Sequence, residues 1–184
     1  RYDFHLAGQD PIVPGVALLA GISLPTGKPP DAARNALAAD ATGIGALQAN
    51  AGFALEQTFG PWLVSASAFV GARTTRTVRT GAQSIRETLG PQLTSLAGLA
   101  YSFDMERALA LVASFMVEGN ATIDGHLAHG TARRVVALTA AGVIPLADAW
   151  RLQASVFVNP PISDLGKNFP ASAGGALTVV VSAP

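Results

Sequence analysis

Trp62-Leu63-Val64-Ser65-Ala66-Ser67-Ala68-Phe69-Val70-Gly71 alternates along its whole length. In an extended chain Trp62, Val64, Ala66, Ala68 and Val70 share one face, and Leu63, Ser65, Ser67, Phe69 and Gly71 the other. A period of two predicts a strand rather than a helix. The face shared by Ser65, Ser67 and Gly71 is small and mildly polar, and it carries none of the Lys, Glu or Asp that a water-exposed sheet face displays.

The same alternation predicts strands at Leu47–Leu55, Leu93–Phe103 and Leu109–Glu118, and again at Val136–Leu146, Trp150–Val158 and Leu177–Val181. Val16–Leu24 and a short segment through Tyr2, Phe4 and Leu6 complete nine candidates. Their connections alternate in length. Short links fall at Gly60-Pro61, Asp104–Arg107 and Ala147–Ala149, and long ones at 25–43, 72–88, 119–131 and 159–172. Short turns on one side and long loops on the other are characteristic of outer-membrane barrels.

Composition agrees with a lipid-facing wall. The 184 residues are 49% hydrophobic and only 13% charged, about half the roughly 25% usual in soluble domains. Glycine, proline or charge interrupts every apolar run well short of the roughly 18 residues of a transmembrane helix. Charged residues fall in expected loops, turns and strand ends, as a midplane cost of about 2–4 kcal/mol per charge requires. Phe59, Trp62, Tyr101, Phe103 and Trp150 flank the short turns, the place of an interfacial aromatic girdle. The fold expected is an all-β antiparallel transmembrane β-barrel of outer-membrane type, one domain over residues 1–184, with eight or nine strands in this chain. Short turns on the periplasmic side would start the first segment outside, so missing N-terminal strands and a barrel of about ten to twelve strands are expected.

The stretches Pro14–Gly27 (PGVALLAGISLPTG), Ala41–Gly45 (ATGIG), Glu56–Trp62 (EQTFGPW), Glu118-Gly119 and Gly166-Lys167-Asn168 resemble the meta-pathway of phenol degradation family of outer-membrane barrels. The resemblance spans nearly the whole chain through short motifs. It implies passage of small, aromatic or hydrophobic compounds across the bacterial outer membrane. It brings no catalytic residues.

Inward parity selects the candidate lumen residues: Gln48, Asn50, Ser65, Ser67, Gln153 and Ser155 in the middle, with Glu56, Arg73, Glu118 and Arg151 toward the ends. Opposite charges there form either a selectivity ring or a structural salt-bridge network. Arg73, Arg76, Arg79 and Arg86 are the only basic cluster, read either as a contact for lipopolysaccharide phosphates or as a solvated hairpin. Asp124, His126 and His129 share one loop, where a solvated turn is the plainer reading than a metal site. Pro30-Asp31 ahead of Ala32–Ala39 predicts one or two helical turns.

Other chemistry is not indicated. Without cysteine there is no disulfide, Cys-based zinc site or thiol nucleophile. Gly43-Ile44-Gly45 and Thr26-Gly27-Lys28-Pro29 lack the spacing of phosphate loops. No Ser/His/Asp set follows from the spacing. The 12 basic and 12 acidic residues balance, which removes the broad footprint of a nucleic-acid binder. The expectation is a passive channel for small solutes with no enzymatic activity, cofactor or metal. Its partners would be the bilayer, lipopolysaccharide, a small-molecule solute and outer-membrane proteins. The alternatives are a structural or assembly barrel with a packed lumen that docks partner proteins, and a soluble all-β binding module.

Overall fold

The computed structural model describes residues 1–8, 10, 12–35, 40–80, 83–160 and 166–181. Nine strands form one antiparallel sheet in the order β1 (Tyr2–His5), β2 (Gly15–Ser23), β3 (Gln48–Phe59), β4 (Trp62–Arg73), β7 (Gln92–Ser102), β8 (Ala108–Glu118), β11 (Arg133–Ala147), β12 (Trp150–Asn159) and β13 (Ser172–Val181). These occupy the nine segments whose alternation predicts strands. β1 and β13 are its two edges, so the sheet is open among the described residues.

Four further strands depart from the expectation of two plain loops. β5 (Arg76–Thr80) and β6 (Gln83–Thr88) form a hairpin, β9 (Thr122–Ile123) and β10 (His126–Leu127) another, and β6 pairs with β9. Two long connections thus share a second, four-stranded sheet at one end of the first.

Strand pairing gives each face its composition. Glu56, Ser65, Gly98, Val112, Thr139, Phe157 and Gly174 form one cross-strand row, and Ala54, Ser67, Leu96, Ser114 and Ala137 form the next. This inner face mixes small, polar and charged residues. The outer rows read Leu55, Ala66, Ala97, Ala113, Leu138 and Val158, then Phe53, Ala68, Ser95, Phe115 and Val136. Arg134, at the start of β11, is the one charged side chain on the outer face of the nine strands among the described residues.

A core of the soluble kind is missing from the described residues. The buried apolar side chains are Ala17, Ala46, Ala54 and Ala121, and no large side chain is fully buried. Outer-face residues stand exposed instead, among them Leu111 at 52% and Val70 at 61%. A contiguous apolar surface of this extent calls for an apolar medium or partner.

Turn chemistry sets the short-link side. Gly60, at φ +58°, precedes Pro61 between the paired Phe59 and Trp62, the sign pattern of a type II′ hairpin turn. Asp104 Oδ1 accepts the backbone N–H groups of Glu106 and Arg107 at 2.8 Å and closes the next turn. These bonds favour the ionised form and hold the Asp104 carboxyl below its ordinary range.

The helix expected after Pro30-Asp31 is reduced to a single 3-10 turn, Pro30–Ala32. Residues 36–39 of that expectation lie outside the described residues. Asp31 Oδ1 lies 3.8 Å from Arg76 Nη1, a carboxylate turned to a cation on β5 and away from a capping role.

Candidate functional site

The inner face carries its charged groups toward the two ends of the strands, with Ser65, Ser67, Ser114 and Thr139 between them. Cross-strand pairing puts Gln48, Asn50, Glu56, Ser65, Ser67, Arg73, Glu118, Arg151, Gln153 and Ser155 all on this one face. Alternation alone places them so. Their partners come from tertiary structure.

At the long-loop end Arg73, the last residue of β4, lies 2.8 Å from Glu118, the last residue of β8, across the intervening β7. Both side chains are 6% exposed. Arg73 Nη1 approaches the carboxylate off the direction of its N–H bonds, so this contact is ionic rather than a directed hydrogen bond. Arg73 Nε donates to Gln48 Oε1 at 2.9 Å, and Nη2 donates to Gln92 Oε1. Gln48 Nε2 donates in turn to Asn50 at 2.7 Å, and Gln92 Nε2 to Thr94 at 3.0 Å. A Cβ at Gly71 would stand 2.7 Å from Asn50 Oδ1, so the absent side chain is what admits the amide. The network ties β3, β4, β7 and β8 together and spends its charges on each other.

Beyond that end the long connections bind one another. Arg76 meets Glu87 at 2.7 Å and donates to the Ile44 carbonyl at 2.5 Å. The 24–47 connection is closed on itself by Lys28, which pairs with Asp40, and by Thr42 N–H donating to the Lys28 carbonyl at 2.9 Å. Lys28 and the amides of Arg34 and Asn35 pull the Asp40 carboxyl down to about 2. Asn168, at φ +53°, donates to the carbonyls of Gly130 and Ala132, and Arg133 lies over the Phe169 ring at 5.6 Å.

The basic cluster divides accordingly. Arg73 and Arg76 are committed to carboxylates, while Arg79 and Arg86 share the exposed face of the β5–β6 hairpin. Asp124 acts in the turn, accepting the Arg86 N–H at 2.8 Å, and among the described residues no group of three potential ligands gathers around it, His126 and His129.

At the short-turn end Glu56 stands three residues inside β3 rather than at its end. It receives Arg1 at 3.1 Å, and Arg1 also meets Asp3 at 2.8 Å. Neither contact is visible in the alternation pattern. The Arg151 side chain has no ion pair or hydrogen bond among the described residues, and its same-face neighbours on the adjacent strands are Pro145 and Val180. Beside it lies a pocket of about 270 Å³, lined by Gln153, Ser155 and Thr178 and by alanines of β8, β11 and β13.

The five aromatics expected as a girdle sit at this same end. Trp62 and Tyr101 meet edge to face at 4.7 Å, Tyr101 and Phe103 at 4.8 Å, and Phe59 pairs across the turn with Trp62. Trp150 opens β12 at the short link from β11 and is 48% exposed.

No protein-family model and no curated protein matches the chain. Among solved structures, an outer membrane channel from Pseudomonas putida F1 is similar over 96% of this chain, with a TM-score of 0.69 and 14% identity. This chain spans 61% of that protein's length. At such identity the likeness shows the fold: the antiparallel all-β architecture is of the kind found in an outer membrane channel.

Proposed function

We propose that the chain forms the wall of a closed transmembrane β-barrel of about ten to twelve strands in the bacterial outer membrane, a passive channel for small solutes. The observation that carries this reading is the contrast between the two faces of the nine-stranded sheet. One is apolar, exposed and nearly free of charge, and the other mixes small and polar side chains with scattered apolar ones and carries nearly all of the strands' charges. Water stabilises the second face but not the first. The fold likeness to an outer membrane channel supports the same reading, and the resemblance carried by the short sequence motifs implies aromatic or hydrophobic solutes.

A packed-lumen assembly protein would share the outer face but not conduct. The full natural chain, refolded in detergent, is expected to migrate differently in SDS gels before and after boiling, and to give stepwise conductance in planar bilayers. Heat-modifiable migration without conductance would select the assembly reading. A soluble monomer in plain buffer would remove both membrane readings.

A further inference from the structure

On the inner face Arg73 is paired with Glu118, and Arg1 with Glu56 and Asp3, while Arg133 lies over the Phe169 ring at the long-loop end. Arg151, at the short-turn end, has neither kind of contact: its side chain is exposed, has no carboxylate among the described residues, and is flanked on both adjacent strands by residues whose side chains cannot accept a hydrogen bond. A guanidinium presents several N–H donors in a planar fork that suits a carboxylate.

What lies next to Arg151 gives that fork a use. Gln153 is two residues along the same strand on the same face, roughly 7 Å away. It opens the pocket of about 270 Å³, in which Gln153, Ser155 and Thr178 supply hydrogen-bonding groups. The remaining inner-face lining is Ala108, Ala110, Ala141, Val143 and Ala176, all compact and apolar. A cation two residues along the strand from a small, apolar-floored pocket fits one class of solute, an anion with a short apolar body.

We infer that Arg151 and this pocket form a subsite for small monocarboxylates, and that Arg151 sets the channel's charge preference. The carboxylate meets the guanidinium and the Gln153 amide, and the hydrocarbon body lies on the alanine floor. This rests on the channel reading above, and it names the solute class.

The test uses the full natural chain in planar bilayers, with butyrate and its uncharged counterpart butyramide as probes. In a potassium chloride gradient the wild-type reversal potential is expected to show a preference for chloride. Arg151→Gln is expected to lose about fivefold of that preference, the order of one solvated charge contact, and Arg151→Glu to invert it. Butyrate is expected to block the chloride current, with butyramide showing no dependence on residue 151. Ala141→Leu, which fills the pocket, is expected to weaken butyrate block several-fold. Arg151 is exposed, so its variants are expected to fold, and the boiling-dependent gel shift confirms it. Conductance with reversal potential and butyrate block unchanged in both Arg151 variants would overturn the subsite and leave the channel standing. A heat-modifiable wild-type protein without conductance would overturn the channel itself.

Discussion

Arg73 and Glu118 show how a buried charge differs from an exposed one. With both side chains 6% exposed, removing the carboxylate leaves a guanidinium in a poorly hydrated place, a loss of about 3–5 kcal/mol for buried pairs. Glu118→Gln is therefore expected to lower the temperature at which the folded band disappears in the gel-shift assay. Arg73→Gln combined with Glu118→Gln is expected to recover most of the loss, since no orphan charge remains. Ion selectivity is expected to stay unchanged in the double variant, because the pair's charges already cancel. Alternation places both residues on one face, but it cannot say that they meet. They belong to β4 and β8, and only the pairing of β7 between these strands brings their ends together.

The sheet packs glycine under aromatic rings at two positions on the inner face. Phe69 lies opposite Gly52, and Phe157 opposite Gly174. A Cβ at residue 52 would come within 2.2 Å of the Ala68 carbonyl oxygen and 2.9 Å of the Phe69 ring; one at residue 174 would come within 2.7 Å of the Phe157 ring. Gly52→Ala is expected to cost about 1–3 kcal/mol through displacement of the β3–β4 pairing, read as a lower thermal midpoint of the β-sheet circular dichroism signal. Phe69→Ala alongside it is expected to restore little, because the closest obstacle is backbone. The glycines are plain in the sequence, and their covering rings emerge from register. The strands of the two small hairpins fall in stretches read as long connections, because they are short and polar beside the apolar runs and are held by pairing between the two connections. Among the described residues of the helix expected after Pro30 only the turn Pro30–Ala32 forms, and there Asp31 lies 3.8 Å from Arg76 of β5, a partner that no local pattern names.

Adjacent residues on opposite faces test the membrane reading of the entire sheet. Ala113 lies in the outer row with Ala97 and Leu138, and Ser114 in the inner row with Leu96 and Ala137. Ala113→Lys is expected to cost about 2–4 kcal/mol of folding into liposomes, the penalty of a cation at the bilayer midplane, measured by the urea midpoint of the folded fraction. Ser114→Lys faces the polar side and is expected to cost far less. Equal effects of the two substitutions would mean that both faces meet the same medium, and the barrel reading would fail.

Local alternation was sufficient for the nine strands, for the identity of the two faces, for the short and long connections, and for the aromatic cluster beside the short turns. Each follows from the period-two geometry of an extended chain, which depends on near neighbours. Which charges neutralise each other, that Arg151 has no carboxylate among the described residues, which pocket opens near it and how the long connections join depend on register and strand order. Those are relations between residues distant in the chain, and the alternation of any one strand is the same whichever strand lies beside it. Arg151 and Arg73 therefore look alike in the sequence, two arginines of inward parity near strand ends. The folded sheet gives one a buried carboxylate and leaves the other facing Pro145 and Val180.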